Sequence, residues 1–146
     1  MIRLRAWVGV GLLALLATGC VGIRPPPYTT PVERTLLTTG YCACGECCGW
    51  RRNWLGRPVY ASGPFKGQRK ETGITASGSQ ARRGTIAADA LRYPFGTTLY
   101  IDGYGYGRVE DRGGGIKGDH VDLFFRSHDE ALQWGRRYKQ ALIWFR

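Results

Sequence analysis

The chain lacks an apolar run long enough to cross a membrane as a helix, and it lacks internal repeats, low-complexity tracts and long runs of lysine or arginine. Its N-terminal apolar run, Ala6–Ala17, has only 12 residues, whereas a spanning helix needs about 20. The absence of a basic run argues against a dedicated nucleic-acid-binding arm. At 146 residues, the chain has room for one compact domain and a tail, but not for two full-sized cores.

Acidic residues are also scarce. Asp and Glu total 11 against 21 Lys and Arg, which gives a formal net charge of +10 at pH 7. This charge suits an anionic polymer such as a nucleic acid, an acidic lipid or an anionic cell-wall glycan, and it is equally compatible with general solubility. Because the cations are scattered along the chain, we expect no nucleic-acid partner.

Glycine and aromatic residues, in contrast, are abundant. The chain has 22 glycines, and aromatic residues make up 12% of it. Glycine usage is therefore about twice the average. This composition excludes disorder for most of the chain and indicates a turn-rich β protein.

The first twenty residues have the order of a signal peptide. A short basic segment, Met1–Arg5, precedes the apolar run, and small residues follow it up to Cys20. Cleavage directly before a cysteine resembles a bacterial lipobox, so we predict a lipoprotein signal peptide over residues 1–19 and lipidation of Cys20. Residues 20–34 contain four prolines and predict an extended, lipid-anchored tether. We expect a location in the cell envelope, at the periplasmic face of the outer membrane if the cell has two membranes, with plain secretion as the alternative.

Four cysteines remain, all within the seven residues of CACGECC: Cys42, Cys44, Cys47 and Cys48. An even number of cysteines in an exported protein is typical of disulfides, so we predict two local disulfides among these four and no metal. A tetrahedral zinc site is the alternative, but such sites usually draw ligands from two separated segments, and adjacent cysteines would strain one shell. Both histidines, His120 and His128, lie far along the chain from this cluster.

Short β-branched and apolar runs, separated by turn signals, predict strands over most of the remaining chain. The predicted strands are Thr35–Tyr41, Thr85–Ala88, Thr97–Ile101, Tyr106–Glu110, His120–Phe125 and Lys139–Phe145. A capping box that begins at Ser127 predicts a short helix over Glu130–Arg136. One short helix among at least six strands implies a small all-β barrel.

Three aspartates, Asp89, Asp111 and Asp122, lie at or beside predicted strands. Asp122 is the most informative, because it lies within the apolar segment His120–Phe125. Partial desolvation raises the pKa of a carboxyl in such a setting and suits it to general acid catalysis. The alternative is a strand whose outer face happens to carry an aspartate.

Six short motifs follow one another in a recognisable order, and a seventh precedes them. They are TGYCACGECCGW (39–50), GITASG (73–78), GTIAAD (84–89), YPFGT (93–97), YGYG (104–107), EDRGGGIKG (110–118) and VDLF (121–124). As a set, these motifs resemble the 3D domain family, which is named for three aspartates.

The resemblance implies a six-stranded double-psi β-barrel over residues 35–146, as in membrane-bound lytic murein transglycosylases and stationary-phase muralytic proteins. It also implies cleavage of the MurNAc–GlcNAc β-1,4 bond of peptidoglycan without water or cofactor, leaving a 1,6-anhydro-MurNAc end. Carried over by position, Asp122 is the single acid/base, and Asp111 and Asp89 are its active-site partners. Arg112 departs from the family pattern, where Thr is frequent, and so changes the charge of the pocket.

The predicted substrate contacts are Thr75, Ser77, Lys117 and Tyr104, of which the first three are equally compatible with ordinary turn residues. Two other functions stay open. One is a peptidoglycan-binding or wall-loosening module without turnover, and the other is an inverting glycoside hydrolase, which would leave a reducing end. The expected partners of this monomeric protein are glycan strands of peptidoglycan and, through the lipid anchor, a membrane.

Overall fold

The computed structural model describes residues 22–146. The predicted signal peptide and the predicted lipidation of Cys20 lie outside the described residues. Within the part that is described, no helix is both long and apolar enough to cross a membrane. The first strand begins at Val32, slightly before the predicted start of the domain at residue 35.

Eight strands and two helices make up the described part of the chain. In order, they are β1 (Val32–Tyr41), α1 (Gly45–Cys48), β2 (Trp50–Arg52), β3 (Pro58–Tyr60), β4 (Thr85–Ala88), β5 (Thr98–Ile101), β6 (Gly105–Asp111), β7 (His120–Phe124), α2 (His128–Trp134) and β8 (Arg137–Trp144). The six strands and the helix predicted from the sequence are all present, with ends displaced by a few residues. The β2–β3 hairpin and the one-turn helix α1 are additions.

Six of these strands close into a barrel in the order β1-β7-β4-β6-β5-β8. The pairs β1/β7 and β4/β6 are parallel, and the other four pairs are antiparallel. Strand β1 lies between β7 and β8, and β4 lies between β6 and β7. In both cases, two strands that follow each other in the sequence are separated in the barrel by a strand from earlier in the chain. The predicted six-stranded double-psi barrel is confirmed.

Every barrel strand contributes at least one fully buried aliphatic side chain to the interior. Examples are Leu36, Ile86, Leu99, Val109, Val121 and Ile143. In β7 the alternation of side chains directs Val121 and Leu123 into this interior and leaves Asp122 on the outer surface of the barrel. This alternation therefore places the carboxyl of Asp122 outside the core.

Helix α2 packs closely against β1. Trp134 donates a hydrogen bond from Nε1 to the hydroxyl of Thr38 at 3.1 Å, and a Cβ added at Gly40 would lie 2.7 Å from the carbonyl oxygen of Ala131. Only glycine allows this approach. The helix begins at the predicted cap, where the Ser127 hydroxyl accepts a hydrogen bond from the N–H of Glu130 at 3.2 Å. Its first residue, His128, consequently lies near the C-terminal end of β1.

Candidate active site

Asp122 lies on the outer face of the barrel at the centre of three adjacent strands. It is paired with Thr39 of β1 on one side and with Ala87 of β4 on the other. The Thr39 hydroxyl donates a hydrogen bond to Asp122 Oδ1 at 2.9 Å and lies 2.9 Å from Nε2 of His120. Because the hydroxyl proton goes to the carboxylate, the ring nitrogen donates to the hydroxyl oxygen. The pairing of β7 with its two neighbours thus fixes the backbone at Asp122, and the hydrogen bond from Thr39 fixes its side chain.

A β-bulge brings Asp111 to the same surface. Along the β4/β6 pair, Ile86 is opposite Val109, but the next residue, Ala87, is opposite Asp111, so Glu110 is skipped. The bulge turns Glu110 inward, where its carboxylate accepts a hydrogen bond from Thr85 at 2.9 Å. Ala87 is therefore flanked by Asp111 on β6 and by Asp122 on β7.

Three donors hold the Asp111 carboxylate. The phenol of Tyr41 donates to Oδ2 at 3.1 Å, and the backbone N–H groups of Ala76 and Arg112 each donate to Oδ1 at 2.9 Å. Burial, followed by the charge of Asp111, raises the pKa of Tyr41 above its usual range, so the phenol stays protonated. Asp111 is thereby fixed as an acceptor beside Asp122.

The pKa of Asp122 is raised to about 6, mainly because burial disfavours its charged form. The Thr39 hydroxyl and the N–H of Leu123 oppose this effect, and the charge of Asp111 adds to it. A substantial fraction of Asp122 is therefore protonated at mildly acidic pH. This protonation state suits a general acid.

Both carboxyls open into a cavity of about 340 Å³. We call it the acid pocket. Its walls are formed by the end of β1, helix α1, the segment before residue 75 and the glycine-rich loop after β6. The lining residues include Tyr41, Cys48, Lys70, Ile74, Arg112 and Gly113. Sequence reasoning missed Thr39 and Tyr41 as members of the site, because only the parallel β1/β7 register brings them to Asp122.

Asp89 lies in a neighbouring cavity, not in the acid pocket. It lines that cavity together with Lys117, and the loop around Arg112 and Gly113 forms a wall common to both cavities. Its carboxylate accepts hydrogen bonds from the N–H of Gly118 at 3.1 Å and of Leu91 at 3.2 Å. These two donors, Gly118 first, lower the pKa of Asp89. Of the three predicted acids, the structure brings two together, and the third supports the glycine-rich loop.

Two of the predicted substrate contacts are corrected by the structure. Tyr104 is buried in the core, where its hydroxyl donates to the carbonyl of Phe124 at 2.8 Å, so it offers no surface to a glycan. Thr75 is also buried, with its hydroxyl 3.0 Å from that of Ser77. Ser77 is exposed beside this turn, and Lys117 is exposed in the neighbouring cavity.

The predicted disulfides are also absent. Cys42, Cys44, Cys47 and Cys48 are all free thiols in the structure. The sulfur atoms of the first three converge on the ring of His128, while Cys48 turns toward the acid pocket and donates a hydrogen bond to the carbonyl of Cys42 at 3.1 Å. The physical reason is distance, because the Sγ atoms of Cys42 and Cys47 are 3.8 Å apart, whereas a disulfide bond is about 2.05 Å long. Helix α2 brings to the cluster a histidine that is remote in sequence.

Comparison with known proteins finds a family model that matches part of the chain. Residues 84–145 match the 3D domain family model. The resemblance indicated by the sequence motifs is thereby confirmed. The matched segment runs from the start of β4 to β8 and includes Asp89, Asp111 and Asp122, whereas β1 and the cysteine cluster lie outside it.

Two curated relatives from Bacillus subtilis carry a similar segment. The cell wall-binding protein YocH is 37% identical over 68 residues, which is 44% of this chain and 24% of YocH. YabE, which is named for cell wall shaping, is 34% identical over 70 residues, or 45% of this chain and 17% of YabE. The chain thus spans at most about a quarter of the length of these relatives.

Solved structures of MltA from Escherichia coli are also similar to this chain. One, described as a unique lytic transglycosylase fold, is 26% identical with a TM-score of 0.41 and covers 48% of this chain and 26% of MltA. Another, with bound chitohexaose, is 24% identical with a TM-score of 0.43 and covers 54% of this chain and 29% of MltA. At these TM-scores, neither structure bears on the function of this chain.

Proposed function

We propose that this protein is a lytic transglycosylase that cleaves the MurNAc–GlcNAc β-1,4 bond of peptidoglycan in the cell envelope, anchored by a lipid on Cys20. The observation that carries the proposal is the environment of Asp122. Its carboxyl is partly buried, is held by Thr39, has a pKa raised to about 6 and opens into a cavity that a second carboxyl, Asp111, also lines. The match of residues 84–145 to the 3D domain and the names of the two relatives support a cell-wall substrate.

In this mechanism, Asp122 acts twice. As a neutral acid it donates its proton to the glycosidic oxygen, so the bond from that oxygen to C1 of MurNAc breaks and GlcNAc leaves with a hydroxyl. The resulting carboxylate then takes the proton from the C6 hydroxyl of the same MurNAc, whose oxygen bonds to C1. The product is a 1,6-anhydro ring, no water is consumed, and Asp122 returns to its neutral form.

Asp111 has a supporting role in this scheme. A negative charge close to the developing oxocarbenium ion stabilises the transition state, and the same charge raises the pKa of Asp122. The hydrogen bonds from Tyr41, Ala76 and Arg112 fix the position of that charge. Lys70 and Arg112 in the pocket walls offer cationic side chains to the carboxylates of the polymer, which belong to the stem peptides or, where a peptide is absent, to the lactyl groups.

A binding module without turnover is the second candidate, because one relative is named for cell wall binding. The two functions differ in their products. We expect purified peptidoglycan incubated with the full-length protein to release muropeptides with 1,6-anhydro-MurNAc ends, identified by mass spectrometry. Asp122→Asn should release none, whereas Asp102→Asn, which changes an exposed aspartate paired with Lys139, should match the wild type.

Three outcomes contradict the proposal. Reducing ends would indicate hydrolysis on the same barrel. Sedimentation of the protein with peptidoglycan, without any released fragment, would indicate a binding module. Equal release by the wild type and Asp122→Asn would remove Asp122 from the mechanism.

A further inference from the structure

We propose that Cys42, Cys44, Cys47 and His128 form a structural zinc site. One ligand atom from each residue, three Sγ atoms and a ring nitrogen, lies within 4.8 Å of all the others. We call this set the Cys–His cluster. Three of its residues belong to one seven-residue segment, and the fourth is the first residue of α2.

Three of the six ligand–ligand distances are those of a tetrahedral zinc centre, and the other three are within 4.8 Å. Zinc–sulfur bonds of about 2.3 Å and zinc–nitrogen bonds of about 2.0–2.1 Å require sulfur–sulfur separations of about 3.8 Å and sulfur–nitrogen separations of about 3.6 Å. In the structure, the Sγ atoms of Cys42 and Cys47 are 3.8 Å apart. Nδ1 of His128 lies 3.5 Å from Sγ of Cys44 and 3.4 Å from Sγ of Cys47.

The groups around the cluster also fit thiolate ligands. The backbone N–H of Cys44 donates to Sγ of Cys42 at 3.5 Å, and the N–H of Cys47 donates to Sγ of Cys44 at 3.4 Å. Such donors stabilise negative sulfur in a tight turn. A Cβ at Gly45 would lie 2.4 Å from the carbonyl oxygen of Trp50, so the turn depends on this glycine.

The histidine is oriented as a metal ligand would be. Its Nδ1 faces the sulfurs of Cys44 and Cys47, and its Nε2 lies 3.1 Å from Oε2 of Glu46. A carboxylate on the second ring nitrogen fixes the tautomer that leaves the first nitrogen free for a metal. Glu46 belongs to the same short helix as Cys47, so the loop supplies both the ligands and their support.

Cys48 is not part of this ligand set. Its Sγ donates to the carbonyl of Cys42 and lines the acid pocket. Four protein ligands then complete the tetrahedron without an open position, which is typical of a structural zinc site and not of a catalytic one. Such an ion would tie together the end of β1, α1 and the start of α2, directly behind the wall of the acid pocket that Cys47 and Cys48 help to form.

The test uses the full-length protein, purified in detergent under reducing, chelator-free conditions. We expect about one zinc per chain by elemental mass spectrometry, and a lower unfolding temperature once a strong chelator has removed it. Replacement by Co²⁺ should give the visible absorption of a tetrahedral site together with the ultraviolet charge-transfer bands of three thiolates. These two measurements on the wild type do not depend on whether any variant folds.

Variants identify the ligands. Cys44→Ser and His128→Ala should lose stoichiometric zinc and the tetrahedral Co²⁺ spectrum. Their matched controls, Cys48→Ser and His120→Ala, should keep both, because neither side chain belongs to the cluster.

Three results would overturn the proposal. One is a reduced wild-type protein that takes up neither ion. Another is a protein isolated with two disulfides that binds no zinc after reduction. The third is loss of zinc from Cys48→Ser with retention in His128→Ala, which would indicate a four-cysteine site instead.

Discussion

The acid pocket and the Cys–His cluster lie on opposite sides of the same short segment, yet different forces hold them in place. The carboxyls of Asp122 and Asp111 are fixed by neighbouring ladders of the barrel, which place both beside Ala87. The Cys–His cluster relies on a single tight turn and on one histidine carried in by α2. A site built on paired strands is preorganised by the fold itself, whereas a site built on a turn needs its own cross-link.

The most damaging single change to the acid pocket should be Asp122→Asn. Because the amide cannot donate an acidic proton or take one back, we expect the rate of glycan cleavage to fall by about 10²- to 10⁴-fold or more. Zinc content should stay at the wild-type level, since Asp122 is not one of the four proposed ligands. Release of anhydro-muropeptides and elemental analysis of the same sample measure both. A variant that lost zinc as well as activity would show that the two regions are not independent.

Apart from the four ligands, Glu46 is the residue whose substitution should weaken zinc binding by the Cys–His cluster the most. Glu46→Gln weakens the acceptor at Nε2 of His128, so we expect the affinity for zinc to fall by about 10- to 100-fold. Competition with a chromophoric chelator measures the change. Glu71→Gln, at an acidic residue lining the acid pocket, is the control and should leave the affinity unchanged. An equal loss in both variants would point to general electrostatics and not to the contact with His128.

Gly40 offers a way to disturb both regions at once. Gly40→Ala forces a Cβ against the carbonyl of Ala131, so β1 and α2 must separate. We expect the free energy of unfolding to fall by about 1–3 kcal/mol, together with weaker zinc binding and slower cleavage. Gly114→Ala is the control for stability, because a Cβ there meets nothing within 4 Å. Chemical denaturation compares the two, and equal stabilities would show that the α2 contact is not tight.

The raised pKa of Asp122 carries a signed prediction for stability. The folded state favours the protonated carboxyl, so the contribution of Asp122 to stability should decline as pH rises from the ordinary pKa near 4 through about 6. Asp122→Asn lacks this titrating group and should be more stable than the wild type at pH 7 by up to about 3 kcal/mol. At pH 3 the two should agree. Urea unfolding at both pH values measures the difference, and a constant difference would mean that the pKa of Asp122 is not raised.

The smallest effects, and the sharpest test of the pocket electrostatics, should come from two opposing variants. Thr39→Val removes a hydrogen bond that lowers the pKa of Asp122, so the alkaline limb of the activity profile should move to higher pH. Asp111→Asn removes a charge that raises this pKa, so the limb should move to lower pH. We expect shifts of less than about one pH unit in each direction. Shifts of the same sign would contradict the assignment of Asp122 as the titrating acid.

Local patterns in the sequence were sufficient for the barrel strands and for the start of α2. The alternation in His120–Phe125 correctly places Asp122 on the face opposite Val121 and Leu123, because side-chain direction in a strand follows from local geometry. Ser127 likewise marks the beginning of α2, since capping depends on neighbouring residues only.

Features that depend on contacts between distant residues were not accessible in this way. The β1/β7 register, which brings Thr39 to Asp122, joins residues that are far apart in the chain. The bulge at Ala87, which turns Asp111 outward, leaves no local signal. The prediction of Tyr104 as a substrate contact is wrong for the same reason, because the structure packs this residue into the core. The sequence also gives no sign that His128 lies against the cysteines, as it does in the structure.

The position of β1 has a consequence for how the molecule is made. The first barrel strand to be synthesised is hydrogen-bonded on its two edges to β7 and β8, which are the last two. A chain without β8 therefore has no partner for one edge of β1, and the row Thr39–Asp122–Ala87 cannot form before β7 has been synthesised. Such long-range pairing slows folding, because β1 has to wait for strands that are remote in the sequence. Closure of the barrel thus comes with β8 and not in stages.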